Sequence, residues 1–212
     1  MGDAYYQNAC KPEGADGEKI LEHFNTHHVE LARWAFSHLQ INSHATALDI
    51  GCGGGANLAT LLTLCKDGAV TGLDYSAVSV AKSTVVNQQA VQEGRCQVLQ
   101  GDVMDLPFAE AQFDLITAFE TVYYWSDLAQ AFAQVFTVLK PGGQFFICNE
   151  ADGTNPDDEK WPQLIDGMTI YTQQQLQALL TATGFVQLQA DHAAQKGWLC
   201  ITASKPEGGI IQ

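Results

Sequence analysis

From Ile20 onward the apolar residues Ile20, Phe24, Leu31, Ala35 and Leu39 recur at helical spacing, with His28 filling a gap in the stripe. That period predicts an amphipathic helix ahead of the main fold. Beyond it the pattern changes. Short apolar runs of strand length (ATALDI, AVTGLD, CQVLQG, FDLITAF and GQFFICNE) alternate with helical stretches over 56–66, 77–92 and 128–139. After a long loop, a last helix is predicted over 173–183. Strands alternating with helices need right-handed crossovers, so they predict an α/β fold with a parallel sheet covered on both faces. The closing run FVQLQADHAAQKGWLCITASK holds two strand-like segments around a polar turn with no helix between them, which predicts a terminal antiparallel hairpin.

A chain of 212 residues is long enough for one sizeable core and short for two. It contains no internal repeat and no low-complexity linker. With 46% hydrophobic residues it is expected to fold, and its 24 acidic against 10 basic residues leave a net charge of −14. That balance repels polyanions and argues against nucleic acid as a partner. The first residues, MGDAYYQNACKPEGADGEK, lack an apolar core of a leader peptide and read as a loop or lid. No apolar stretch approaches the length of a membrane span, so a cytoplasmic protein without a membrane partner is expected. Six cysteines stand singly along the chain and read as reduced, mostly buried thiols.

The stretch ALDIGCGGGANLATLL places Gly51, Gly53, Gly54 and Gly55 between a predicted strand and a predicted helix. Glycines there permit tight turns and close approach of a ligand to the backbone, and the following helix offers free N–H groups. GCGGGA also satisfies the G-x-G-x-x-A fingerprint of dinucleotide binding, so the loop by itself leaves the nucleotide open. Asp49, two places before Gly51, directs negative charge toward the crevice, which disfavours a pyrophosphate and favours an ammonium group. Asp74 closes the second strand, 23 residues after Gly51, where its carboxylate can accept both hydroxyls of a ribose. Asp102 follows the third strand, placed to accept from an adenine amino group.

Taken in order, LDIGCGGG, GLDYS, GDVMDLPF, FDLITAFETVYYW and LKPGGQFFICNE resemble the motif series of class I S-adenosylmethionine-dependent methyltransferases. The resemblance spans about residues 45–150. It implies a Rossmann-like seven-stranded, mostly parallel sheet with helices on both faces, the last strand antiparallel, and an N-terminal helical cap. It implies S-adenosylmethionine as cofactor, S-adenosylhomocysteine as its product, and a small-molecule acceptor. By the same resemblance, Asp49 and the backbone of Gly51, Cys52 and Gly53 hold the methionine end of the cofactor. Asp74 binds the ribose, Tyr75 packs beside the adenine, Asp102 meets the adenine amino group and Val103 lies close to the ring. Phe119 lines the methyl-donor pocket, and Gly55 serves helix-to-strand packing.

The acceptor side is less constrained. Glu120, Tyr123, Tyr124 and Trp125 follow the fourth strand, where an acid can act as base or complement a sulfonium and aromatics can close a pocket. Packing under the next helix is the alternative for all four. The Asn/Asp-Pro-Pro-Tyr pattern of base-methylating enzymes is absent there. In the loop from residue 149, Asn149 and Glu150 are nearest the strand end, and Trp161, Met168 and Tyr171 can form an apolar wall. His23 and His27 stand one helical turn apart without an evident third ligand, so no metal is expected, and His28 can face the acceptor from a lid helix. Cys52 and Cys148 leave a thiol-dependent arsenite chemistry as a minor alternative. The expected organisation is one methyltransferase domain: a cap over 1–44, a cofactor-binding core over 45–150, and a substrate-side loop, helix and hairpin over 151–212. The rivals are an NAD(P)-dependent oxidoreductase using the same glycines and a cofactor-binding module without catalysis. Oligomeric state is not encoded in any of these features.

Overall fold

In the computed structural model, which describes residues 4–208, seven strands form one sheet in the order β3-β2-β1-β4-β5-β7-β6. The strands are β1 (Thr46–Ile50), β2 (Ala69–Asp74), β3 (Cys96–Gln100), β4 (Phe113–Phe119), β5 (Leu139–Asn149), β6 (Val186–Ala193) and β7 (Trp198–Ser204). Strands β1 to β5 pair in parallel, and β7 runs antiparallel between β5 and β6. This is the Rossmann-like methyltransferase sheet with its reversed last strand. Residues 1–3 of the expected cap and 209–212 of the expected last segment lie outside the described residues.

The central strands read as continuous apolar runs because both faces are covered, as parallel sheets require. On one face Leu48, Ile116, Phe145 and Ile147 join α7 (Leu128–Val138) and α9 (Gln173–Thr183) in the larger core. Helix α7 buries Leu128, Ala131, Phe132, Val135 and Val138 along one stripe, and Asp127 caps it by accepting from the Gln130 amide. Helix α9 starts at a capping box between Thr172 and Gln175 and ends at Gly184, whose φ of 107° closes the last turn. On the other face Ala47, Leu115, Phe119 and Phe146 pack with α3 (Val29–Phe36) and α4 (Ala56–Leu64).

Three expectations are corrected. Most of the described part of the expected loop is helical: α1 (Ala4–Cys10) precedes α2 (Gly14–His27). The single helix expected from Ile20 is two helices, α2 and α3, broken at His28, whose φ of −85° and ψ of 8° leave the helical region. The helix expected over 77–92 divides into α5 (Ala77–Val86) and α6 (Gln88–Gln92) at Asn87. There the buried side chain of Asn87 donates through Nδ2 to the carbonyls of Gly55 and Ser83, each at 3.0 Å, which ties the helix to the glycine loop. The long loop after β5 carries a 3-10 turn at Pro156–Lys160 and the short α8 (Trp161–Leu164).

Candidate functional site

The chain order makes β1 and β4 neighbours although β2 and β3 lie between them in sequence. At such a switch point the loops from adjacent strand ends diverge and leave a crevice. A cavity of about 1110 Å³ opens there, roofed by α1, α2 and the loop around α8.

The glycine loop forms one wall. Gly51, Gly53 and Gly55 have φ of 74°, 51° and 84°, so the turn needs residues free of a Cβ penalty. The three differ in what surrounds them. A side chain on Gly51 would overlap Thr121, and one on Gly55 would stand 2.6 Å from Ser83 Oγ and 2.8 Å from Asn87 Nδ2. Gly55 therefore seats the loop on α5, not on a strand as expected. A Cβ on Gly53 would meet nothing closer than Leu21 Cδ2 at 3.7 Å, so its bare backbone faces usable space. The cap reaches this loop directly, because Asn25 Nδ2 donates to the Gly54 carbonyl at 2.9 Å.

Asp74 lies on the same wall and accepts from the amides of Gly53 and Ser76, each at 2.9 Å. Burial raises its pKa, and the two amides oppose that shift. Tyr75 donates its hydroxyl to the Cys10 carbonyl at the end of α1, which pins the cap beside it. Asp102 caps the 3-10 turn Val103–Asp105 by accepting from the Met104 amide at 3.0 Å, and Val103 stands next to it on the wall. Cys52 and Phe119 complete this side. Asp49 is placed differently from the expectation. It is 1% exposed, behind the glycine loop and off the cavity wall, and accepts from Thr117 Oγ1 at 2.6 Å. Burial, with Asp74 adding, pushes its carboxyl up to about 7 against the Thr117 bond.

Beside the glycine loop, past Thr121, stand the residues expected on the acceptor side. Glu120 has a φ of 57°, a strained conformation for a residue with a Cβ, at the end of β4. Its carboxylate accepts from the Glu150 amide and from the Tyr123 hydroxyl, the latter at 3.2 Å. Burial pushes it up to about 7; Glu150 adds to this, while His28 and the hydrogen bonds oppose it. The Tyr123 hydroxyl also accepts from the Ala151 amide at 2.9 Å, so it works as a strut between two strand ends. Burial raises the phenols of Tyr123 and Tyr124, so neither supplies a base as phenolate. Trp125 is largely core, stacked on Phe145 at 6.4 Å, with Nε1 donating to Thr121.

Glu150 sits between His27 and His28, at 3.6 Å and 3.5 Å from their Nε2 atoms. Burial works against a charged His28, yet Glu150 and Glu120 outweigh it and raise its pKa, while the histidines lower that of Glu150. Trp161 and Met168 lie on the wall as expected, and Tyr6 of α1 meets Trp161 edge-on at 5.9 Å. Asn149 and Tyr171 are not brought to it. Asn149 is fully buried in the sheet, and Tyr171 packs on the α7–α9 core because the chain turns inward before α9. Five cysteines are buried and Cys10 is half-buried. Burial pushes the Cys52 and Cys148 thiols well up, and no three cysteines converge among the described residues, which removes the arsenite alternative.

Sequence reasoning missed Thr121, Asn25 and the α1 residues Tyr6 and Cys10. Asn25, Tyr6 and Cys10 lie outside the motif series, and Thr121 lies within it without an expected role. Only strand adjacency and the docking of the cap bring them in.

A glycine-lined crevice at the switch point of this sheet, with an acid after each of β2 and β3, defines the class I methyltransferase architecture. Residues 48–147 match the model of the methyltransferase domain family, and the chain belongs to the class I S-adenosylmethionine-dependent methyltransferases. An O-methyltransferase of Pyrenophora dematioidea is 30% identical over 146 residues, which are 67% of this chain and 54% of that protein. A demethylmenaquinone methyltransferase of Lactiplantibacillus plantarum is 33% identical over 133 residues, 61% of this chain and 54% of that protein. The chain thus spans about half the length of these relatives. In fold it is similar to a Haloferax volcanii methyltransferase solved in complex with a methyltransferase activator, with a TM-score of 0.81 at 20% identity over 92% of this chain and 96% of that one. Membership removes the oxidoreductase reading of the glycine loop. No helix among the described residues is long and apolar enough to cross a membrane.

Proposed function

We propose that the chain transfers a methyl group from S-adenosylmethionine to an oxygen, nitrogen or carbon atom of a small molecule with an apolar body. The observation that carries this is one cavity lined by two unlike sets of residues. One set is bare glycine backbone with Asp74 and Asp102, and the other is acidic, imidazole-bearing and aromatic. Ligand pockets commonly measure about 300–1,000 Å³, so about 1110 Å³ has room for a nucleoside donor together with a small acceptor. The relatives above are named as an O-methyltransferase and a demethylmenaquinone methyltransferase, a variety that supports leaving the acceptor atom open.

The donor supplies a methyl group made electrophilic by a sulfonium. The open space at Gly53 and the carboxylate of Asp74 fit its methionine and ribose portions. Phe119, Val103 and Met104 offer apolar contact beside them. Glu120 places a carboxylate at the end of β4, where it complements positive charge and takes the proton that an oxygen or nitrogen acceptor gives up. Trp161, Met168 and Tyr124 hold the acceptor body. Holding two reactants in line contributes about 7–11 kcal/mol to such a transfer, so positioning carries most of the rate.

The test is thermal stability with S-adenosylmethionine, S-adenosylhomocysteine or NAD, followed by a small-molecule screen that reads S-adenosylhomocysteine release. A ligand at a hundred times its Kd contributes about 2.7 kcal/mol, or about 5–11 °C for a chain of this size. The expected result is a shift with both adenosyl ligands and none with NAD. Glu120→Gln is expected to keep that shift while lowering turnover about a hundredfold. A shift with NAD alone overturns the proposal, and an unaltered rate in Glu120→Gln removes the base.

A further inference from the structure

We propose that His27, His28 and Glu150 form a binding site for one divalent transition-metal ion on the acceptor side of the cavity. One ligand atom from each, a ring nitrogen of His27, a ring nitrogen of His28 and one carboxylate oxygen of Glu150, lie within 4.8 Å of one another, the only such group of histidine, cysteine or carboxylate side chains among the described residues.

The distances favour an ion over direct contact. His27 Nε2 is 3.6 Å from Glu150 Oε1, and His28 Nε2 is 3.5 Å from Glu150 Oε2. An N–H···O hydrogen bond closes to about 2.7–3.2 Å. Ligands bonded at about 2.0–2.1 Å to one tetrahedral ion stand about 3.4 Å apart. Each imidazole lies at about that separation from one of the two Glu150 oxygens.

His27 and His28 close α2, the His28 amide still donating to the Phe24 carbonyl at 3.1 Å, and their two rings meet edge-on at 5.2 Å. Each ring is also held from behind: Phe24 stacks on His28 and His23 on His27, both at 5.1 Å. Glu150 is fixed through its backbone, because its amide donates to Glu120, which Tyr123 in turn holds. Such outer contacts orient metal ligands and sharpen affinity. Two imidazoles and a carboxylate suit zinc, with cobalt(II) as a faithful probe.

All three side chains belong to the cavity wall, so the remaining coordination position opens inward. An ion there would hold an oxygen or nitrogen of the acceptor, a role that rests on the methyl-transfer reading; the site itself does not. The experiment uses the full chain without a histidine tag, stripped with chelator and titrated with cobalt(II), then zinc(II), in the absence of donor and acceptor. The expected result is one ion per chain with tetrahedral cobalt absorption, at least tenfold weaker binding in His28→Ala and in Glu150→Gln, and unchanged binding in His44→Ala. His28→Gln serves if His28→Ala fails to fold, as judged by circular dichroism. Binding well below one ion per chain, or binding that survives both His28 and Glu150 substitutions, overturns the site. Metal binding by a chain whose melting shifts with NAD and not with the adenosyl ligands leaves the site standing and overturns the methyl-transfer reading, so the two failures are separable.

Discussion

Asp49 and Asp74 belong to the same motif series and occupy neighbouring strand ends, yet burial gives them different work. Asp74 faces the cavity with both oxygens already engaged by amides, so it is positioned to accept ribose hydroxyls without moving. Charge-assisted hydrogen bonds contribute about 1.5–3 kcal/mol each, so Asp74→Ala is expected to weaken S-adenosylhomocysteine at least tenfold by calorimetric titration; unchanged affinity would undo the ribose assignment. Asp49 is sealed behind the loop with its carboxyl pushed up from 3.8 to about 7, chiefly by burial. Between those values the folded chain keeps a proton that the unfolded chain has released, so this contribution to stability falls as pH rises through the window. Asp49→Asn retains an acceptor for Thr117 and removes the charge. Its melting temperature relative to the natural chain should therefore climb between pH 5 and pH 8. Each tenfold change in proton affinity is about 1.4 kcal/mol, or about 3–5 °C here, and a difference flat with pH would contradict the assignment. The sequence marked both acids as charges at strand ends. It could not show which one the fold would seal, because that depends on β4 supplying Thr117 from 68 residues away.

At the level of elements, the glycine turn and the cap govern the site. Gly55→Ala combines a φ of 84° with a Cβ 2.6 Å from Ser83 Oγ, and should cost about 2–4 kcal/mol, read as a fall of about 5–15 °C in melting temperature. Gly53→Ala has open space around it, so the same measurement should move less while S-adenosylhomocysteine affinity falls more. Equal effects of the two substitutions would remove the distinction between the packing glycine and the binding glycine. Helix α1 crosses the cavity mouth: Cys10 meets Tyr75, and Gln7 bonds both the Leu164 carbonyl at 2.8 Å and the Asp166 amide at 3.2 Å. Deleting residues 1–10 should therefore loosen donor binding severalfold with little change in the melting of the ligand-free chain, since α1 covers the site and not the main core. The strands, α7 and α9 were legible because apolar period and capping residues agree there. The α1 helix, the break at His28 and the division at Asn87 were not, because each is decided by a partner distant in sequence.

Across the whole molecule, the net charge of −14 sits on a chain whose cavity wall also carries Glu120, Glu150, Asp74 and Asp102. Self-repulsion of like charge opposes the compact state, and salt screens it over a Debye length of about 10 Å at 0.1 M. Raising sodium chloride from 0.05 to 0.5 M should increase the melting temperature of the ligand-free chain. A decrease would mean that the surface ion pairs, such as Lys82–Glu22 and Lys140–Asp114, outweigh the excess of acid.

The amino-acid sequence by itself determined the architecture and, Asp49 apart, marked the cavity residues proposed here for the donor. Strand and helix periods alternate in an order that permits few topologies, and the glycines with their following acids are local features that travel with strand ends. Tertiary structure decided which of the acceptor-side candidates meet and which do not. Glu120, Glu150, His27 and His28 come from β4, the end of β5 and the junction of two cap helices, and nothing in their spacing announces that they meet. The physical reason is range. Backbone periodicity and turn chemistry act over a few residues, whereas the convergence of side chains around a cavity depends on which strand lies beside which and on where the cap docks.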